Sequence, residues 1–433
     1  MSNDQQSTGQ QSTADAIGPP AAGRPVVPRR RLLLAALAAS PVAALLAGCG
    51  GGGGSSEAAR SVGSATDAGG STAATGTTTS ITSTSTSTAQ ALGNTPPTKP
   101  SSKPVAATRT WKMGFAGSPP RPTVESLLAG IGQWRPRAEL AVMHDDLPWA
   151  DLLTGVPART LVARDRQPLA DYYRSLGLQT IFMVDPSDGL SRGEDARALR
   201  ALGRSMVEPA VQQLYRDYAL AVASLLKPDV LGLVPESNLI RAAAPAALYT
   251  AIAAAATAAA ADLRAAGSTA KLLVSVQVET AWGQVAGNGR FEGITRDLTD
   301  FPFMQRLGLS SYPFLVFRQP EDIPDDHYRR VVAGSGLRTV VVESGWSSVG
   351  SATRSSSPEL QARYIARHAS LLDSVAALGV AQLLFADPDL SLLPQPLPDN
   401  LPQFMTLGLA DGDFNAKPAL ARWDALFARP LVS

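Results

Sequence analysis

Eight short apolar runs, each followed by a longer stretch of helical periodicity, constrain this chain more than any other feature. They are Trp111–Phe115, Glu139–Met143, Thr180–Val184, Val230–Val234, Leu272–Val278, Leu307–Ser311, Thr339–Val342 and Ala381–Phe385. Runs of four to seven apolar residues without polar alternation read as strands buried on both faces, which is the pattern of a parallel sheet covered by helices. Between them, Val211, Leu214, Tyr218, Val222 and Leu225 recur at helical spacing, as do Leu360, Tyr364, His368, Leu371 and Val375. Ser357-Pro358-Glu359 supplies that second helix with an N-cap, a first-turn proline and an early acid. Ala242–Ala266 is helical by propensity and closed by Gly267. Eight strands each followed by a helix predict an α/β fold of the (β/α)₈ barrel type. The rival, an open doubly wound sheet, is disfavoured because no Gly-x-Gly-x-x-Gly turn follows the first strand and no phosphate loop occurs.

The barrel occupies residues 108–433, because what precedes it has no means of building a core. Arg29-Arg30-Arg31 opens the apolar run Leu32–Ala39, which ends, after Ser40 and Pro41, in Leu46-Ala47-Gly48-Cys49. Basic first and apolar next is the layout of a signal peptide, and the run is too short and too interrupted for a permanent span. Leu-Ala-Gly-Cys resembles the bacterial lipobox, and the paired arginines resemble a twin-arginine export signal, with Pro28 and Leu32 departing from its pattern. The resemblance implies cleavage after residue 48, acylation of Cys49 and an exported lipoprotein held at a membrane, periplasmic or on the cell surface. Cys49 is the only cysteine, so no intramolecular disulfide supports the fold. Residues 49–107 are Gly, Ser, Thr, Ala and Pro in the main, a composition that buries too little apolar surface to offset ordering and predicts a flexible tether.

Charge implies no nucleic-acid partner. The chain has 38 basic and 37 acidic residues; without residues 1–48, which hold four arginines and two aspartates, the balance is −1. That is not the footprint of a nucleic-acid-binding protein, and it suits a neutral substrate.

Two runs end on a carboxylate: Val230-Leu231-Gly232-Leu233-Val234-Pro235-Glu236 and Thr339-Val340-Val341-Val342-Glu343. In a barrel these are the C-terminal ends of the fourth and seventh strands, where barrel chemistry is done. Two carboxyls facing one pocket from opposite sides suit glycoside hydrolysis, in which one protonates the leaving oxygen while the other attacks the anomeric carbon. The two roles need pKa values pushed apart by environment.

With Leu307-Gly308-Leu309-Ser310-Ser311-Tyr312-Pro313-Phe314, Val341-Val342-Glu343-Ser344-Gly345-Trp346 and, more loosely, Val234-Pro235-Glu236-Ser237-Asn238, the chain resembles the clan A glycoside hydrolases. Within the clan it is most similar to the arabinogalactan endo-β-1,4-galactanases. The resemblance implies a retaining mechanism with Glu236 as general acid/base, Glu343 as nucleophile and Tyr312 as the phenol that orients it, acting on an extracellular or envelope polysaccharide without a cofactor. The chain departs from the clan in having Pro235 where an asparagine precedes the acid/base, and Ala386 to Asp389 where an aromatic follows the eighth strand. The alternative is therefore a glycan-binding barrel without turnover.

Other strand ends carry candidate substrate-binding residues. His144 and Asp145 follow the second strand, with Asp146; Asp185 and Asp188 follow the third; Gln277 and Glu279 lie at the end of the fifth. Asn238 is a candidate to supply the amide missing at position 235. Trp149, Trp282 and Trp346 follow the second, fifth and seventh strands, where indole faces can stack on a pyranose. A metal reading of His144, Asp145 and Asp146 is the lesser one, and none is expected. Among the other histidines, His327 reads as lying in a solvated segment and His368 as part of an apolar helical stripe.

Overall fold

A computed structural model describes residues 106–432, apart from 352, 353, 394, 396 and 399, and gives only the backbone of Asp145. The expected signal segment, Cys49 and all but the last two positions of the expected tether lie outside the described residues. The described chain is a closed barrel of eight parallel strands in sequential order. They are β1 (Lys112–Ala116), β2 (Leu140–Asp146), β3 (Gln179–Asp185), β4 (Val230–Val234), β5 (Lys271–Gln277), β6 (Arg306–Ser311), β7 (Thr339–Ser344) and β8 (Gly379–Gln382). Each of the eight expected runs overlaps a strand. The fold is a (β/α)₈ barrel.

Differences at the strand ends follow from pairing. β2 continues three residues beyond its apolar run because His144, Asp145 and Asp146 stay in register with Met183, Val184 and Asp185 of β3. β8 lies two residues earlier than its apolar run suggests, since Leu383 to Ala386 leave the ladder and Ala386 bridges to Ala410 instead. The helices Pro209–Leu226 and Pro358–Ser374 form where expected, the second with the Ser357 hydroxyl accepting from the Leu360 amide. The alanine-rich stretch is divided by Pro245 into Ser237–Ala243 and Ala246–Ala265. Among the described residues, Ala246–Ala265 is the one helix long and apolar enough to cross a membrane. Its Leu248, Ile252, Ala255, Ala259 and Leu263 are buried in the core, as in a helix packed on a barrel.

Two slips interrupt the ladder near the C-terminal ends of the strands. Between β4 and β5 the register passes from Gly232↔Leu273 to Val234↔Val274, skipping Leu233; between β6 and β7 it passes from Leu309↔Val341 to Ser310↔Glu343, skipping Val342. Such irregularities re-aim side chains next to active sites. One slip precedes Glu236 by two residues, and the other places Ser310 beside Glu343. Gly308 supports the arrangement by leaving space, because a Cβ there would stand 2.7 Å from the Ser275 Cβ.

Candidate active site

At the C-terminal mouth of the barrel lies a cavity of about 440 Å³ whose floor includes His144, Asp185, Arg192, Glu236, Tyr312 and Glu343. Glu236 immediately follows β4 and opens the helix Ser237–Ala243 from the left-handed region, with φ 49° and ψ 47°. A non-glycine residue held there costs on the order of 1–3 kcal/mol, and such positions cluster at functional sites. The Ser275 hydroxyl of β5 accepts from the Glu236 amide at 2.9 Å and helps to hold the turn.

Ser310 joins the two glutamates. Its Oγ lies 2.7 Å from Glu236 Oε1 and 3.1 Å from Glu343 Oε2. By the triangle inequality those two oxygens are no more than about 6 Å apart, close to the separation of retaining glycosidases and short of that of inverting ones. A hydroxyl has one proton for two acceptors. One of the two carboxyls is therefore left without that proton unless it carries its own.

The surroundings drive the two carboxyls apart in pKa. Burial raises Glu236 above the ordinary carboxylate range, opposed by the Arg192 charge and reinforced by negative Glu343. Burial would raise Glu343 too, but hydrogen bonding and charge from His144, the Arg192 charge and the Tyr312 hydroxyl outweigh it, so Glu343 lies below its ordinary value. The Tyr312 hydroxyl donates to Glu343 Oε2 at 2.9 Å. His144 Nδ1 lies 2.9 Å from Glu343 Oε1 in a buried ion pair. Its Nε2 lies 2.8 Å from Asp185 Oδ2. Burial would lower the pKa of His144, but the two carboxylates outweigh it and raise it to about 10, so the imidazolium persists at neutral pH.

Arg192 was not foreseen and is central to the site. It is 2% exposed, donates from Nε to Glu236 Oε2 at 2.8 Å and from Nη1 to Asp185 Oδ2 at 2.5 Å, and has φ 56°. Asp185 is further held by the amide and hydroxyl of Ser187, and its pKa is well below the ordinary range: burial would raise it, but Arg192 and His144 prevail. The only sequence sign of Arg192 is a turn-rich segment, Asp188-Gly189-Leu190-Ser191-Arg192-Gly193, with no spacing that aims a side chain inward.

The expected substrate-binding residues divide. His144 and Asp185 line the cavity, as do Asp146, Asp188 and Gln277. Asp145 is in β2. Asn238 does not line the cavity: its side-chain amide donates to the Gln277 carbonyl and accepts from the Gln277 amide, which stitches the helix after β4 to β5. Glu279 is fully buried behind the wall, accepting from Gln277 Nε2, the Ser311 hydroxyl and the Tyr312 amide, with His327 Nε2 at 3.0 Å. It fixes Tyr312 from behind instead of touching the cavity.

None of the three tryptophans lines it. Trp149 is fully buried in the core, and Trp346 is 1% exposed, tilted against Tyr364 and bonded to Ser356. Trp282 has His327 stacked on it at 5.6 Å and the Arg330 guanidinium 4.9 Å from its centroid. His327 itself is fully buried, contrary to the solvated segment expected: the helix His327–Val332 turns His327, Tyr328 and Val331 inward and its arginines outward. His368 is buried against Tyr328 and Tyr364, as its stripe implied. Among the described residues no group of three His, Cys, Asp or Glu is placed to hold a metal ion.

No protein-family model matches the chain. No curated protein matches it either. Among solved structures it is similar to a β-glucuronidase of an uncultured Clostridium sp., at 12% identity and a TM-score of 0.48, over 74% of this chain and 52% of that one. It thus spans about half the length of that protein. It is also similar to the exo-β-1,4-mannosidase Op5Man5 of Opitutaceae bacterium strain TAV5, at 16% identity and 0.49, over 74% and 60% of the two chains. A third is the GH53 catalytic domain of Ignisphaera aggregans, at 15% and 0.46, over 61% and 79%.

Proposed function

We propose that this chain is a retaining β-glycoside hydrolase acting on a polysaccharide or oligosaccharide outside the cytoplasm. Glu343 is the nucleophile, Glu236 the acid/base and Tyr312 the orienting phenol. The observation that carries the reading is the Ser310 bridge between two buried carboxyls whose pKa values are displaced in opposite directions. A nucleophile must be ionised and an acid protonated at the same pH, and this environment favours that division. Their short separation supports retention through a covalent intermediate.

In the first step Glu343 Oε2, held by Tyr312, attacks the anomeric carbon while Glu236 delivers its proton to the departing oxygen. In the second, Glu236 as carboxylate takes a proton from water, which displaces Glu343 and restores the starting states. His144 and Arg192 keep Glu343 ionised. Pro235, where the resembled clan has asparagine, leaves the 2-hydroxyl without that partner. Cys49 is proposed as the acylated N-terminus that holds the enzyme at a membrane, with residues up to 107 as its tether.

Paired substitutions test the reading. Glu343→Gln should remove turnover of all glycosides by several powers of ten. Glu236→Gln should spare glycosylation by activated aryl glycosides, with azide restoring deglycosylation. Wild-type rates in both variants would refute the assignment.

A further inference from the structure

We infer that the cavity is blind on the glycone side, so that the protein takes the terminal sugar of a chain and cleaves from chain ends. This rests on the proposed roles of Glu236 and Glu343 and adds a direction to them. In a ring of eight strands β8 stands across from β4. The segment after β8 does not return directly to the outer layer but is stitched around the mouth. The Asp389 amide donates to the Pro120 carbonyl beyond β1 at 2.9 Å, and Asn400 Nδ2 donates to the Leu190 carbonyl beyond β3 at 3.4 Å. Leu401 and Met405 pack with Leu190 in a small apolar cluster separate from the main core.

On the other flank, Phe404 meets Tyr312 edge-on at 5.1 Å and Phe314 at 6.0 Å beyond β6. The Thr406 hydroxyl lies 2.7 Å from that of Ser347 beyond β7, and the Thr406 carbonyl accepts from the amide and hydroxyl of Ser348. The segment thus touches the loops after β1, β3, β6 and β7, and its Leu401, Phe404 and Met405 form an apolar wall lining the cavity. Leu401 and Met405 are buried, so the wall is packed in place. Across from it, on the β5 side, the lining residues Gln284 and Val285 form an exposed rim.

Chemistry decides which end of the substrate meets the wall. Glu236 has to reach the leaving oxygen, so the aglycone departs over β4 and β5, where the rim is open. The glycone lies over Glu343, and its far end points at Leu401 and Phe404. An enzyme that cuts within a chain needs room for further sugars on both sides of the scissile bond, and here Leu401, Phe404 and Met405 take up that room on the glycone side. The carbon face of one pyranose is what an apolar wall can accept.

The test compares aryl β-glycosides of galactose, glucose and mannose with the same compounds carrying a 4,6-O-benzylidene cap, using the full-length chain in detergent. The expected result is turnover of an uncapped probe with its capped partner slower by 100-fold or more. Leu401→Ala with Phe404→Ala should then raise the capped-to-uncapped ratio about tenfold or more. Equal rates on both probes would overturn the inference while leaving the hydrolase reading intact. Matching aryl thioglycosides, which need no turnover, are read by melting temperature. A shift with the uncapped compound alone supports the blind cavity even if hydrolysis is absent, in which case the hydrolase reading fails by itself. No shift with either compound overturns the inference.

Discussion

Arg192→Met tests how much of the site depends on one buried cation. The guanidinium is 2% exposed and serves two carboxylates, at 2.8 Å for Glu236 and 2.5 Å for Asp185. Removing one partner of a buried pair typically costs about 3–5 kcal/mol, because the other charge is left desolvated. Asp185 would retain His144 and the two Ser187 donors, whereas Glu236 would retain Ser310 as its side-chain partner and could respond by staying protonated. Both relax the loss, so the lower end applies: about 3 kcal/mol. A comparison is built into the fold. Arg200 pairs with Asp188 at 2.9 Å, but its side chain is 39% exposed, and Arg200→Met should cost under about 1 kcal/mol. Urea unfolding of the two variants at neutral pH gives the numbers directly. A loss for Arg192→Met no larger than for Arg200→Met would refute the view that this guanidinium neutralises the cavity floor.

Two further outcomes rest on the same physics. The pH profile of kcat/KM should be a bell whose acid limb, set by Glu343, lies below the ordinary glutamate value and whose alkaline limb, set by Glu236, lies above it; a titration of activity that places both limbs on the same side of 4.5 would contradict the division of roles. If Cys49 is acylated, the chain should partition into detergent and Cys49→Ala should abolish this, since firm anchoring needs the two or three acyl chains that lipoprotein processing attaches; persistent lipid labelling of the variant would exclude that site.

The eight strands and the two glutamates were legible because both rest on local signals. A strand buried on two faces must be apolar throughout, and Glu236 and Glu343 interrupt that rule where each run ends. The slips at Leu233 and Val342 were not legible, since a register depends on the neighbouring strand, and without them Ser310 does not appear as a bridge. Arg192 was missed for a related reason: a long side chain on an irregular loop reaches the barrel axis through tertiary placement alone. The tryptophans erred in the opposite direction. Trp149 and Trp346 do follow strands, but chain position says nothing of whether a loop turns an indole toward the axis or back under the rim, and burial of apolar area favoured the latter. His327 was misread because its segment reads as solvated, although a six-residue helix can bury one face and solvate the other.

If Glu343 forms a covalent bond to the substrate while Glu236 supplies and removes protons, the bonded intermediate can be trapped. Incubation of the full-length chain with 2-deoxy-2-fluoro-β-glycosyl fluorides, followed by peptide mass mapping, tests it most directly, because the fluorine slows the second step and lets the intermediate accumulate. One fluorosugar is expected on the peptide containing Glu343 and none on that containing Glu236. A label on another residue, or no label from a sugar whose ordinary glycoside is turned over, would contradict it.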